Sequence, residues 1–148
     1  MSLVLPLMAT VMTSFAQPMQ VDLHLDTPSQ LLNRGLGMDV ETGLEAGLSQ
    51  LKSGGTNVAM MVLWPPRKTD HVKRTFALLE VMEREIDRLD SLVLVRNPVE
   101  ARAAAESGRM GIMLSLEGAH GLGSGDWKAE LNSLDERGLI ALGITWGF

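Results

Sequence analysis

The sequence is 148 residues long, 45% apolar, and carries a formal charge of −5 with no cysteine. That length and apolar content suffice for one domain with its own core. The acidic balance excludes the basic face that a nucleic-acid binder needs, and the missing cysteines exclude disulfides and thiolate chemistry.

The chain opens on an apolar stretch, Leu3 to Ala16, with small residues at Ser14 and Ala16 of the kind a signal peptidase cleaves after. Pro6 interrupts the stretch, and no Lys or Arg precedes it, the first being Arg34. Residues 1–18 therefore read as a leader or as an N-terminal arm. A leader implies a periplasmic or secreted product, an arm a cytoplasmic one. Neither this run nor any later one reaches the roughly 20 apolar residues of a membrane span.

Met19 to Asp26 alternates strictly, with Val21, Leu23 and Leu25 on one face and Asp22, His24 and Asp26 on the other, which predicts a strand ended by Thr27-Pro28. Leu44, Leu48 and Leu51 repeat at helical spacing, and Gly54-Gly55 closes that helix. Thr56 to Trp64 is a nearly unbroken apolar run stopped by Pro65-Pro66, as a strand covered on both faces would be. Asp70 predicts an N-cap for a helix whose stripe is Val72, Phe76, Leu79, Met82, Ile86 and Leu89. Leu92 to Arg96 is a short strand, followed by a helix start at Asn97-Pro98-Val99-Glu100 that combines a cap, a proline at the first position and a capping-box acid. Gly108 ends that helix, and Gly111 to Glu117 forms the next strand. A glycine-rich loop leads to a helix around Trp127 to Arg137, closed by Gly138, and Leu139 to Trp146 is a fifth strand.

Strands alternating with helices argue for a parallel sheet with covering helices. A doubly wound sheet and a (β/α)₈ barrel both have this rhythm. After the leader the chain holds about four and a half βα units of roughly 30 residues, close to the barrel's repeat. The expected fold is thus α/β, with residues 19–148 forming the N-terminal portion of a (β/α)₈ TIM-type barrel, just over half of one.

The chemistry centres on three residues. His24 and Asp26 lie two apart at the C-terminal end of a strand, so both side chains leave the same face at the end where barrel active sites sit. An imidazole and a carboxylate converging there suit a divalent metal, although a strand face turned to solvent gives the same pattern. Glu117 closes an otherwise apolar strand and is followed by Gly118, which leaves backbone room at the mouth. It reads either as a third ligand aimed into the same crevice or as a helix-capping or surface acid in a loop. Other features point elsewhere. His71 falls in the first turn of a polar-faced helix and reads as a surface residue. Gly121-Leu122-Gly123-Ser124-Gly125 lacks both the last glycine of a dinucleotide fingerprint and the Gly-Lys-Ser/Thr of a phosphate loop, so it reads as a turn. Trp64, Trp127 and Trp146 read as packing residues, with Trp64 and Trp146 at strand ends where they would line the mouth. Ser115 has no histidine at a nucleophile–base spacing.

At these residues the chain resembles the renal or membrane dipeptidase family of zinc peptidases. The resemblance is carried by Val21-Asp22-Leu23-His24-Leu25-Asp26, by the strand ending Val62-Leu63-Trp64, by Ile112 to His120 with its Ser-Leu-Glu-Gly-Ala-His core, and by Gly138 to Trp146. It implies a (β/α)₈ barrel that hydrolyses dipeptides with two zinc ions and a metal-bound hydroxide. The matched His24 and Asp26 would bind the first zinc, and Glu117 would bridge both. His120 matches a histidine beside the bridging acid. Ala119 stands where the family often has a second glycine, and Trp146 where many members carry a histidine that contacts substrate. The family's two further zinc-binding histidines, its substrate-binding arginine and a late aspartate would fall beyond Phe148. The expected function is therefore zinc-dependent dipeptide hydrolysis, with at most one zinc held by this chain and little activity from it alone. The alternatives are a metal-dependent hydrolase of non-peptide amides or esters, and an inactive half-barrel that acts as a structural module. The expected partners are a dipeptide substrate and a second copy through self-association.

Overall fold

In the strand Met110–Glu117 (β4 below), Ile112, Leu114 and Leu116 point one way and are essentially inaccessible, while Ser115 and Glu117 point the other. That alternation organises the whole molecule. The computed structural model describes residues 18–146, so residues 1–17 of the expected leader or arm and the last two residues lie outside the described residues. Its elements are β1 (Gln20–Leu25), α1 (Thr27–Arg34), α2 (Leu48–Ser53), β2 (Thr56–Leu63), α3 (His71–Arg88), β3 (Leu92–Leu94), α4 (Pro98–Glu106), β4 (Met110–Glu117), a 3₁₀ turn (Ala119–Leu122), α5 (Trp127–Glu136) and β5 (Leu139–Gly143). The fold is α/β: a five-stranded parallel sheet with alternating βα units, as expected. No helix among the described residues is long and apolar enough to cross a membrane.

The strands do not lie in chain order. β1 pairs with β2 and β2 pairs directly with β4, in register from Val58↔Gly111 to Leu63↔Leu116. The other edge of β4 is shared. β3 takes its lower part, from Leu92↔Met110 to Leu94↔Ile112, and β5 its upper part, from Leu114↔Leu139 to Glu117↔Gly143. A sequential order would have placed the Leu92 strand between β2 and β4. With three residues it is too short to run the height of its neighbour, and the Asn97 cap turns the chain into α4 just beyond it. Asn97 accepts from the N–H groups of Val99 and Glu100, and Glu100 accepts in turn from the Asn97 amide and from the N–H of Arg96.

The helices divide between the faces. α1, α2, α3 and α5 contribute Leu31, Leu48, Leu51, Leu78, Leu79, Met82 and Leu134 to one core with Ala59, Met61, Leu63, Ile112, Leu114 and Leu116. α4 packs on the opposite face, near the N-terminal ends of β2 and β4, where Ala101 and Ala104 meet Val58 and Val95, with Met113 against them. The upper part of that second face is the part that carries Glu117.

Two elements depart from the sequence pattern. Thr27-Pro28 does not merely end β1; it starts α1, where a proline in the first turn costs no helical hydrogen bond. The Thr27 hydroxyl, which is buried, donates to Ala46 O at 2.9 Å and so pins the helix start to the following loop. On α3 the Asp70 cap forms, accepting from Lys73 N at 3.1 Å, but the buried face is rotated from the expected stripe. Leu78, Val81, Thr75 and Glu85 are buried there, whereas Phe76 and Ile86 are only half-buried. The polar pair is accommodated because each is bonded. Thr75 donates to Gly121 O, and Glu85 accepts from Met38 N at 2.7 Å and from Arg88. Arg88 also forks onto Asp39 at 2.7 and 3.0 Å, and that hydrogen-bonded guanidinium holds the Asp39 carboxyl below its usual range.

β1 is less buried than its alternation suggests. Leu25 packs against the main core, but Leu23 is 64% exposed and Val21 40%. The strand pairs on one side only among the described residues.

Candidate metal centre

Three elements deliver one residue pair and one partner to the same point. β1 ends with Leu25 in the core, so His24, its neighbour, faces the other way. Asp22 does not join it, because its carboxylate turns back to accept from the N–H of His24 at 3.0 Å. That contact holds the backbone of an edge strand at the residue that matters.

Asp26 is the residue before α1, and its position has a specific consequence. Its carbonyl accepts the first helical hydrogen bonds, from Ser29 N at 3.1 Å and Gln30 N at 3.4 Å. Its side chain makes no cap hydrogen bond. An aspartate at a helix start ordinarily spends its carboxylate on the free N–H groups of the first turn. Here Pro28 lacks one of those N–H groups, and the carboxylate is left for the site.

Glu117 ends β4 on the face opposite Leu116. Its neighbour across the sheet is Gly143, which has no side chain to cover it. Gly118, at φ +94, turns the chain sharply away into the 3₁₀ turn. The glutamate therefore projects from a rigid strand end, partly buried, toward His24.

The three side chains converge. His24, Asp26 and Glu117 each offer one ligand atom, and all of these atoms lie within 4.8 Å of one another. His24 Nε2 stands 3.9 Å from Glu117 Oε2. His24 is about half exposed and Glu117 about a quarter. Among the described residues no other group of three His, Cys, Asp or Glu side chains meets the same test. His24 and Asp26 are exposed, as a strand end turned to solvent would be, while Glu117 is partly buried.

The donor set fits a divalent cation. One imidazole nitrogen and two carboxylate oxygens are hard-to-borderline donors of the kind zinc and its neighbours take, and the open side leaves room for water or substrate. Without a cation, two carboxylates this close repel each other, and one histidine compensates at most one of them.

The remaining singled-out residues fall into place around this point. Trp64 and Trp146 pack with ring centroids 5.2 Å apart and a 46° tilt; Trp64 directly follows β2, whereas Trp146 lies three residues past β5, which ends at Gly143 and does not run to Trp146 as expected. The Trp146 side chain crowds the same turn: a Cβ on Gly118 would lie 3.3 Å from the Trp146 Cβ. The glycine-rich loop is a packed turn, since a Cβ on Gly121 would lie 2.7 Å from a Leu116 methyl and 2.8 Å from the Thr75 hydroxyl. His71 is not the expected surface residue. It is half-buried, its Nε2 is shielded from solvent, and its ring packs edge-on against His120 with centroids 4.9 Å apart. The sequence contained no periodic signal for that pair, because His120 lies in a turn and the two are 49 positions apart in chain order.

Comparison with known proteins gives the family and the fold. The sequence pattern of the membrane dipeptidase family, peptidase family M19, matches residues 9–148. No curated protein matches the chain. Among solved structures the fold is similar to dipeptidase AC, a metallo peptidase of family M19, at TM-score 0.73 and 20% identity over 86% of this chain and 43% of that one. It is also similar to a metallo peptidase from Rhodobacter sphaeroides liganded with a phosphinate mimic of the dipeptide L-Ala-D-Ala, at TM-score 0.68 and 21% identity over 86% of this chain and 45% of that one. The probable dipeptidase PvdM from Pseudomonas aeruginosa aligns at TM-score 0.75 and 17% identity, over 89% of this chain and 36% of its own. The chain thus spans less than half the length of each.

Proposed function

Because the chain belongs to the membrane dipeptidase family, a family of metallo-dipeptidases, we propose that His24, Asp26 and Glu117 form a zinc centre for dipeptide hydrolysis. The observation that carries this reading is the convergence of the three ligand atoms within 4.8 Å from strand ends far apart in the chain. A zinc ion held there supplies Lewis acidity, polarising a substrate carbonyl and acidifying a water molecule.

The chain's own residues do the rest. The His24 ring and the two carboxylates fix the position of the ion against rigid strand ends. Of the two carboxylates Glu117 is the less exposed, and its oxygen not turned to the ion would take the proton of the attacking water and pass it to the leaving amine nitrogen. The Trp64–Trp146 pair forms an apolar wall at the same end of the sheet, and such a wall excludes water from one side of a bound peptide. With three protein ligands one ion is accommodated, since a second would share only Glu117.

A phosphinate mimic of a dipeptide, the class of ligand held by the Rhodobacter sphaeroides structure, tests this directly. Isothermal titration should show binding to the zinc-loaded chain, none after chelation, and none to His24→Ala. Binding that survives chelation, or that is unchanged in His24→Ala, would refute the metal-centred reading.

A further inference from the structure

We propose that His120 is a positioning residue for Glu117, holding the turn after β4 so that the carboxylate faces His24 and Asp26. This deepens the metal-centre reading and rests on it. His120 Nε2 lies 2.9 Å from the carbonyl oxygen of Pro65, just past the end of β2. A carbonyl only accepts, so Nε2 carries the proton and donates. The bond ties the 3₁₀ turn to β2 at the level of the site.

The ring does more than tether. A Cβ on Gly118 would lie 2.3 Å from His120 Nδ1 and 2.4 Å from Cε1, so the imidazole occupies the space above the residue that follows Glu117. Gly118 is therefore required twice, for its φ of +94 and for this contact. On the other side the turn is stitched to β5, through Gly118 N to Gly143 O at 3.1 Å and Ala119 N to Ile144 O at 3.3 Å. Its far end is held by the Thr75 hydroxyl on Gly121 O. His71, edge-on at 4.9 Å and with its Nε2 buried, backs the His120 ring. The Glu117–Gly118 link is thus gripped between β5 and an imidazole clamped to β2, and the carboxylate's direction follows from that grip.

Two readouts test it. In the metal-free chain, carbon-13 resonances of glutamate carboxyls report where Glu117 sits. In parallel, cobalt(II) titration followed by its visible absorption reports how well the site closes on an ion. His120→Ala should shift the Glu117 carboxyl resonance and weaken cobalt binding by roughly 10–100-fold. His120→Gln places an amide N–H near the position of Nε2 and should restore both. Leu92→Ala, on β3 beside the opposite end of β4 (Leu92↔Met110), should lower stability while leaving both readouts in place. An unmoved Glu117 resonance in His120→Ala, an equal shift in Leu92→Ala, or failure of glutamine to rescue would overturn the proposal. If His120→Ala does not fold, His120→Asn, whose shorter amide falls short of Pro65, replaces it against His120→Gln. A parent chain that binds no cobalt would sink the metal reading alone, and the carboxyl resonances would then decide the role of His120.

Discussion

Replacing Glu117 by alanine should lower the chain's affinity for a divalent metal by at least roughly 100-fold while leaving its fold intact. Losing a group that merely orients a ligand costs about 10–100-fold in metal affinity, so losing a ligand itself sets a floor at the upper end of that range. Glu117 is one of only two carboxylates in the cluster, and His24 and Asp26 sit on an edge strand and a helix start whose backbone is otherwise unaffected. The fold should survive because the Glu117 side chain packs against nothing in the core; Leu116 and Leu114, on the other face, make that contact. Competition with a chromophoric chelator measures the affinity, and far-ultraviolet circular dichroism checks the fold. An affinity within a factor of a few of the parent would mean that the metal sits elsewhere.

The second large effect is on stability. Leu114→Ala should destabilise the chain by about 2–5 kcal/mol, since Leu114 is wholly buried in the middle strand and its removal leaves a cavity between β4 and the helices. Leu23→Ala should cost no more than about 0.5 kcal/mol, because that leucine is 64% exposed on β1. Urea unfolding of the two variants against the parent separates them. Equal losses would mean that β1 is covered in solution, by a second copy or otherwise.

That pair also marks where sequence patterning stops. Alternation located β1 and continuous apolar runs located β2 and β4, and the caps at Asp70 and Asn97 were legible because each uses a local side-chain-to-backbone bond. Alternation assigns residues to faces but does not say whether anything covers them. Leu23 and Leu114 are both assigned to an apolar strand face and differ completely in burial. The order of the sheet was hidden for a related reason. The three-residue β3 carries the same local signature as a full strand, and only its length in the fold decides that β2 pairs with β4 directly.

The site was more readable than the packing around it. His24 and Asp26 share a face by the two-residue period of a strand, and Glu117 stands out as the one acid ending an apolar strand. Parallel strands put all such ends on one side, so the convergence follows from topology once the sheet is parallel. The fate of the Asp22 carboxylate, the release of Asp26 from capping, and the His71–His120 contact depend on backbone angles at Pro28 and Gly118 and on a tertiary approach of α3 to the turn. No period in the sequence encodes those.

The central claim is that these three side chains hold one ion, and anomalous diffraction at the zinc edge from zinc-loaded crystals tests it most directly. The account predicts a single strong peak per chain, with a nitrogen of His24 and one carboxylate oxygen each from Asp26 and Glu117 at about 2.0–2.2 Å. A peak beside His71 and His120 instead, or none within reach of Glu117, would contradict it.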